Sequence, residues 1–214
     1  MNYFIVGDIH GCYYTLCQLL GHWDRANEVL IFVGDLIDRG KHSAKVLQLC
    51  KALSDGDNQV VVLKGNHEAE LIQYVLEGSN NNWTDQGGDL TLLNFEQEKL
   101  LIQEYVSWLQ ALPLYFETPY FSVTHAGITA TANPFLEEHE DSVLWNRKPL
   151  QNIGKLQVHG HTPLLAFSAQ YTPESNAWNI DTGAFYGYGL TGIKIANKSQ
   201  MGTPLSVPTD PLDQ

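Results

Sequence analysis

The sequence predicts a single-domain α/β protein, and three observations lead to this prediction. Its first third alternates apolar, strand-like runs with helical segments in the order β-α-β-α-β, which typically forms a parallel sheet with right-handed crossovers. Its second half contains short strand-like runs separated by Gly, Pro and Asn, which indicates a second, mixed sheet. A chain of 214 residues is long enough for one domain with a substantial core, and its composition shows no break into two.

The N-terminal elements follow from the spacing of apolar residues. Strands are expected at residues 3–6, 29–33 and 59–63, each of which is a continuous apolar or β-branched run. A helix at 13–20 is closed by Gly21, and a helix at 43–53 places Val46, Leu47, Cys50 and Leu53 on one face. The polar segment 55–58 ends this second helix.

The rest of the chain divides into helical and strand-like parts. A helix is expected at 68–76, followed by an aperiodic, mobile loop at 78–88 with Trp83 as its large aromatic residue, and then a helix at 96–112 that Pro113 ends. Short strands are expected at 114–117, 121–125, 156–158, 165–171, 177–180 and 189–195. Residues 202–214 carry three prolines and no periodicity, so we expect one domain over 1–201 and a flexible tail after it.

Composition excludes several classes of function. A net charge of −12 argues against nucleic-acid and anionic-membrane partners, since both require surplus Lys and Arg. No run approaches the roughly 20 apolar residues of a membrane span, and the first residues enter a strand without a secretory signal. The three cysteines form no disulfide pattern and are interpreted as packed thiols. We expect a cytoplasmic protein and make no prediction of its oligomeric state.

Polar side chains follow the predicted strands, at the edge where open α/β sheets bind their ligands. They are Asp8 and His10, Asp35, Asp38 and Arg39, Asn66 with His67 and Glu68, His125, and finally His159 and His161. Carboxylate, amide and imidazole ligands without thiolate suit Mn, Fe or Zn. A carboxylate shared by two ions holds them about 3.5–4 Å apart, the spacing of two-metal hydrolases. Asp35, on the middle strand in sequence order, is the candidate bridge.

Five motifs along the chain carry a resemblance to a known family. They are Gly7-Asp-x-His-Gly11, Gly34-Asp-x-x-Asp-Arg-Gly40, Gly65-Asn-His-Glu68, His125-Ala-Gly127 and Gly160-His161. In this order and spacing they resemble the metallophosphoesterases, and within them the phosphoprotein phosphatases of the bacterial and phage serine/threonine type. The resemblance covers residues 1 to about 195. It implies a calcineurin-like domain over residues 1–201, with two mixed β-sheets packed face to face and helices outside.

The resemblance also implies a mechanism and a set of site residues. One metal ion would be held by Asp8, His10 and Asp35, and the other by Asp35, Asn66, His125 and His161. His67 resembles the family's general acid, held by Asp38, while Arg39, Arg147 and Asn66 resemble substrate-binding residues. The implied enzyme is a metal-dependent phosphatase that hydrolyses phosphoserine and phosphothreonine, and in some cases phosphotyrosine, in a protein or peptide. The two divalent ions would be manganese, with iron or zinc as alternatives.

Several alternatives stay open at this point. Strand alternation places His159 and His161 on one face, so that spacing alone does not choose between them. Lys64 stands where relatives have arginine, which predicts a weaker phosphate contact. Trp83 is equally well interpreted as a hydrophobic plug or a substrate contact. The rival functions are a symmetrical diadenosine tetraphosphate hydrolase and a catalytically silent binding module of the same fold.

Overall fold

The computed structural model describes residues 1–56 and 59–214. Within these ranges, strands β1 (Asn2–Val6), β2 (Glu28–Phe32) and β3 (Val60–Val62) alternate with helices α1 (Tyr13–Leu20) and α2 (Ser43–Gly56). β1, β2 and β3 pair in parallel, as the β-α-β-α-β pattern predicts. Asp57 and Asn58, which the sequence assigns to the end of α2, lie outside the described residues.

Four helices follow β3, and they differ from the predicted pair. They are α3 (Asn66–Glu77), α4 (Asn81–Trp83), α5 (Asp89–Gln97) and α6 (Gln103–Gln110), with a π-helical turn at Thr84–Gly88 between α4 and α5. The predicted mobile loop at 78–88 is wrong, because α4 and the π-helical turn occupy it. The predicted continuous helix at 96–112 is also wrong. The chain breaks after α5, where Lys99 has a φ of 56°, and this break lets Phe95 and Tyr105 pack edge to face with ring centroids 5.3 Å apart.

The second half forms strands β4 (Tyr115–Glu117), β5 (Phe121–Thr124), β6 (Leu156–His159), β7 (Gln170–Thr172), β8 (Ala177–Asn179), β9 (Leu190–Ile195) and β10 (Gly202–Val207). The first sheet has the order β10-β9-β1-β2-β3, and the second has the order β4-β5-β6-β8-β7. Both are mixed: β9 runs antiparallel to β1 in the first sheet, whereas β4 and β7 run antiparallel to the parallel strands β5, β6 and β8 in the second. The predicted strand at 165–171 is reduced to β7.

Side-chain alternation on β1 and β2 builds two cores. Ile5 and Ile31 face the second sheet and pack with Val123 and Val158, whereas Phe4 and Phe32 face the helices. The predicted fold of two face-to-face mixed sheets with helices outside is therefore confirmed. The helices cover the first sheet. The outer side of the second sheet is contacted by the irregular segment before β6, where the Ile128 amide donates to the Gln157 side chain at 3.1 Å.

The C-terminal segment is ordered, so the predicted flexible tail is wrong for residues 202–214. β10 pairs with β9 over its whole length at the edge of the first sheet, and a 3-10 turn follows at Pro211–Asp213. The prolines were the reason for predicting a tail, but Pro204 lies in the edge strand β10. An edge strand accommodates a proline that a central strand excludes. Asp213 is buried, and its carboxylate accepts hydrogen bonds from the amides of Tyr14 and Thr15 at 3.2 and 2.7 Å. These amides belong to the first turn of α1, and the side chain of its own N-cap residue, Cys12, does not cap them.

In the described part of the chain, every helix is too short or too polar to cross a bilayer.

Candidate metal centre

The loops after five strands bring buried polar side chains to one end of the two sheets. Donor atoms of His10, Asp35 and His67 lie within 4.8 Å of one another, and so do those of Asp35, His125 and His161. Asp35 belongs to both groups, as a bridging carboxylate must. The Nε2 atom of His10 is 3.6 Å from Oδ2 of Asp35, whereas the Nε2 atom of His125 is 3.4 Å from Oδ1. Each oxygen of this carboxylate thus faces a different imidazole.

Backbone carbonyls determine the tautomers of two of these histidines. The Nδ1 atom of His10 is 2.8 Å from the carbonyl of Ile37, and that of His125 is 3.1 Å from the carbonyl of Val33. A carbonyl only accepts, so each Nδ1 donates and each Nε2 keeps its lone pair. Burial lowers the pKa of both imidazoles, which keeps them neutral. The Nε2 lone pair of each histidine therefore lies near an oxygen of the Asp35 carboxylate, and no proton lies between the two atoms. A cation between them would stabilise this arrangement.

A second convergence lies around Asn66. Its Oδ1 atom is 3.0 Å from Nε2 of His125 and 2.9 Å from Nδ1 of His161, and these two nitrogens are 3.1 Å apart. Three side chains from separate strand ends thus direct ligand atoms to one point. His159 belongs to neither group, because its Nδ1 donates to the carbonyl of Gly160 at 3.1 Å. The structure therefore brings His161, and not His159, to the site.

Asp8 completes the set in a position that only glycine at residue 160 permits. Its Oδ2 accepts the amide of His161 at 2.9 Å, while its Oδ1 is buried without a hydrogen-bond partner among the described residues. A buried carboxylate oxygen without a partner is costly unless a cation approaches it. A β-carbon on Gly160 would lie 1.8 Å from this same oxygen. The donor set, the facing lone pairs and this oxygen all fit a metal ion.

Backbone strain is concentrated in the same loops. His10, Asp35, Asp38, Arg39 and His161 have φ values of 45°, 49°, 70°, 65° and 71°. Non-glycine residues adopt such values at a cost of about 1–3 kcal/mol each, and they do so mainly at functional sites. The strain turns these side chains away from their strands and toward one another.

His67 and Arg39 lie beside this cluster. The Nδ1 atom of His67 is 2.6 Å from Oδ2 of Asp38, so Asp38 accepts from it. Burial lowers the pKa of His67, but the Asp35 carboxylate and the hydrogen bond to Asp38 outweigh burial and leave that pKa raised. The Nη1 atom of Arg39 is 3.1 Å from Nε2 of His10, and its Nη2 atom is 3.2 Å from Nε2 of His67. The guanidinium group of Arg39 thus lies between His10 and His67, at the edge of the cluster.

The other two predicted cations differ in position. Arg147 is exposed at the rim, where its Nη1 is 3.4 Å from the Thr162 hydroxyl, one residue after His161. Lys64 is buried, and its ammonium contacts both carboxylate oxygens of Glu137 at 2.9 and 3.0 Å. The expected phosphate contact of Lys64 is therefore wrong: this lysine braces the segment that leads to Arg147.

Two buried carboxylates received no role from the sequence, although Glu68 was named in its motif. Glu68 accepts the amides of Asp35, Leu36 and Gly65, each at 2.9 Å, and so fixes the two ligand loops relative to each other. Burial and the charge of Asp35 raise its pKa to about 7. Its place three residues after the helix N-cap, Gly65, was the available signal. Burial and the charge of Asp35 likewise raise the pKa of Asp181 to about 7, and its own charge contributes to the raised pKa of Asp8. No spacing in the sequence pointed to Asp181.

Comparison with known proteins identifies the family. Residues 1–190 match the model of the calcineurin-like phosphoesterases. The chain belongs to this family. Phosphoesterases of this kind use a dinuclear divalent metal centre, and the His and Asp groups here could hold one. When bound, two divalent ions would polarise a phosphate and increase the acidity of a water molecule.

The phosphoesterase resembles proteins of two named activities. It is 28% identical to bis(5′-nucleosyl)-tetraphosphatase PrpE [asymmetrical] of Bacillus cereus, over 97% of this chain and 96% of that protein. A solved structure named as a candidate diadenosine tetraphosphatase superposes with a TM-score of 0.71 at 24% identity, covering 98% of this chain and 94% of that one. A serine/threonine phosphatase of Saccharomyces cerevisiae superposes with a TM-score of 0.69 at 15% identity, covering 96% and 79%. The two structural likenesses concern the fold.

Proposed function

We propose that this calcineurin-like phosphoesterase hydrolyses phosphoserine and phosphothreonine in proteins or peptides. Two divalent ions, with manganese as the preferred metal, would be held by Asp8, His10, Asp35, Asn66, His125 and His161. Arg39, Asn66 and Arg147 would bind the phosphate. Phosphotyrosine is a further substrate to test, because a phenolate leaves more easily than an alkoxide.

The observation that carries this proposal is the contact between His67 and Asp38. A serine or threonine alkoxide is strongly basic and leaves readily only if it is protonated, whereas a nucleotide leaving group departs as a phosphate anion that needs no added proton. The 2.6 Å hydrogen bond orients His67 so that its Nε2 faces the site, 3.9 Å from Oδ2 of Asp35. General acid catalysis of this kind typically contributes ~10²–10⁴-fold. A built-in acid therefore favours an alkyl phosphate.

Two observations favour a second candidate, the hydrolysis of a dinucleoside tetraphosphate. The first is the PrpE relative, which this chain matches over almost its whole length. The second is an exposed apolar surface made of Leu165 and the aromatic residues Phe167, Phe185, Tyr186 and Tyr188. It lies on the loops that follow His161 and Asp181, and the side chains of Leu165, Tyr186 and Tyr188 converge around Gly183. Exposed aromatic rings beside a phosphate site suit the stacking of a nucleobase.

One experiment separates the candidates. Metal is removed, Mn, Fe, Zn and Mg are restored separately, and each form is assayed on phosphoserine, phosphothreonine and phosphotyrosine peptides and on diadenosine tetraphosphate. A kcat/KM at least tenfold higher on the phosphoserine peptide supports the first proposal, and the reverse order supports the second. Release of ATP and AMP would identify asymmetrical cleavage of the dinucleotide, whereas two ADP would identify symmetrical cleavage. If no metal form hydrolyses any of these substrates, the remaining candidate is a catalytically silent binding module.

A further inference from the structure

Three buried donors surround the carboxylate of Asp38, and only one of them is His67. The indole Nε1 of Trp83 is 2.7 Å from Oδ2 of Asp38, the same oxygen that accepts from His67. The hydroxyl of Thr91 is 2.7 Å from Oδ1. Asp38, Trp83 and Thr91 are fully buried, and His67 is 1% exposed. The carboxylate is thus bound on both oxygens, inside the protein and behind the imidazole.

The direction of these hydrogen bonds is certain from chemistry alone. An indole N–H only donates, so Trp83 donates to the Asp38 carboxylate, which also accepts from the Thr91 hydroxyl and from Nδ1 of His67. Asp38 accepts from Nδ1 of His67, so the Nε2 atom, which would carry the proton for the leaving group, faces the site. Removing one donor would leave a buried charge partly unsatisfied, and the carboxylate would rotate or loosen.

The segment between α3 and α5 is built to deliver Trp83 to this place. The Asn80 side chain accepts the amide of Trp83 at 3.1 Å and begins α4. The π-helical turn then brings Gly88 directly against the indole, where a β-carbon would lie 2.4 Å from a ring atom. Gly87, with a φ of 110°, packs in the same way against the backbone nitrogen of Arg39. The turn thus closes over the back of the loop that carries Asp38 and Arg39.

We propose that Trp83 and Thr91 are positioning residues for leaving-group protonation, and that they act through Asp38 on His67. This proposal rests on the proposed function of His67 as the acid. It assigns the site to phosphate esters with basic leaving groups, because only these need the proton. Trp83 lies behind the acid and has no exposed surface, which rules out the substrate contact that the sequence left open.

The competing explanation is that Trp83 only fills the core, where its ring also packs 4.8 Å from the ring of Tyr74. Trp83→Phe separates the two roles, since it keeps an aromatic ring and removes the donor. Thr91→Val is nearly isosteric and removes the second donor, while Thr91→Ser restores a hydroxyl. Trp108→Phe on α6 is the matched control, because it replaces tryptophan with phenylalanine at another position that packs against the core. Lys51 lies over the ring of Trp108, which is not near Asp38.

The experiment measures kcat on p-nitrophenyl phosphate, phenyl phosphate and a phosphoserine peptide, with metal content and Tm determined for every variant. We expect Trp83→Phe and Thr91→Val to keep two metal ions and to lose about 10–100-fold on the peptide, the usual range for a hydrogen-bond partner behind a functional group. The loss should be intermediate on phenyl phosphate and less than about threefold on p-nitrophenyl phosphate, whose leaving group needs no acid. Thr91→Ser and Trp108→Phe should stay near wild type on all three.

Equal losses on the three substrates, or a lower Tm with unchanged kinetics, would overturn the positioning role and leave Trp83 as packing. If Trp83→Phe fails to fold, Thr91→Val and Thr91→Ser decide the question alone. If the wild-type protein does not act on the peptide, the proposed function fails instead. The two aryl phosphates would still test the positioning role, because their leaving groups differ in basicity.

Discussion

At the scale of single residues, Asp35 has the largest predicted effect, because its two oxygens face the imidazoles of His10 and His125 separately. A carboxylate in this position connects the two groups of candidate metal ligands, because it belongs to both. Its replacement would disturb both halves, whereas replacement of Asp8 would disturb one. The predictions at this scale concern Asp35, His67 and Gly160.

Asp35→Asn should lower the metal content below two ions. It should also reduce kcat by more than the 10–100-fold that is typical when a hydrogen-bond partner of a metal ligand is replaced. An amide carries no charge and offers one oxygen, so it cannot neutralise two cations. Metal analysis beside steady-state kinetics measures this, with Asp8→Asn as the comparison that should mainly deplete one ion. Two tightly bound ions in the Asp35 variant would rule out the bridging role.

His67→Asn should retain both metal ions and lose ~10²–10⁴-fold on a phosphoserine peptide, but far less on p-nitrophenyl phosphate. Asp38→Asn should show the same preference in milder form. The double variant should lose much less than the product of the single losses, because the two residues act as a unit. A His67 variant with equal losses on both substrates would identify this residue as a phosphate-positioning group.

Gly160→Ala should weaken metal binding, because the added β-carbon would displace the Asp8 carboxylate from which it lies only 1.8 Å away. Gly56→Ala is the control, since its β-carbon meets nothing within 4 Å. Isothermal titration with Mn²⁺ measures the effect, and at least a tenfold higher Kd is expected for Gly160→Ala alone. Equal affinities of the two variants for Mn²⁺ would contradict the close approach.

At the scale of elements, local patterns predicted the parallel strands and their polar ends but not the helical insertion after α3. An apolar run that ends in Gly-Asp or Gly-Asn indicates both a strand and a polar side chain at its carboxyl end. Asp8, Asp35 and Asn66 could therefore be placed at this edge of the sheet from sequence. The segment 78–88 shows no periodicity, because its fold depends on glycine contacts and on bonds to distant residues, from Trp83 to Asp38 and from Asn82 and Gln86 to Glu70. Asp181 escaped prediction for the same reason, since its partners are distant in sequence.

The C-terminal segment gives a prediction about an element. Asp213→Ala should lower the free energy of unfolding by about 2 kcal/mol, because it removes a buried acceptor from two amides of α1 and from the Thr15 hydroxyl. For a chain of this size the change corresponds to a Tm about 4–8 °C lower. Exposed Glu140→Ala is the control and should leave Tm unchanged. An unchanged Tm for Asp213→Ala would mean that solvent replaces the cap.

At the scale of the whole molecule, charge connects the acidic composition to the site. The chain carries a net charge of −12, and the buried Asp8, Asp35 and Asp181 carboxylates repel one another at the end of the two sheets. Like charges at close range destabilise a folded protein unless cations compensate them. Divalent ions would therefore stabilise the fold as well as supply the chemistry.

Removal of metal with a chelator should accordingly lower Tm, and Mn²⁺ should restore it. At a free ion concentration of 100 times Kd, binding contributes about 2.7 kcal/mol, or roughly 5–10 °C for a chain of this length. Differential scanning fluorimetry measures the shift, and Asp35→Asn should respond much less than the wild type. A Tm that is insensitive to both chelator and Mn²⁺ would argue against a resident metal centre.

The contact between Asp213 and α1 also has a consequence for the order of events during synthesis. α1 begins three residues after His10, yet the carboxylate that accepts its first amides is made about 200 residues later. While the chain is still on the ribosome, the helix that supports the first ligand loop would lack this partner, and the loop would be correspondingly free to sample other conformations. Tight binding of the first metal ion should therefore follow the synthesis and docking of residue 213. Ribosome-stalled chains that expose residues up to 212 should bind Mn²⁺ more weakly than stalled chains that also expose residue 213, and a binding assay on the two sets would measure the difference.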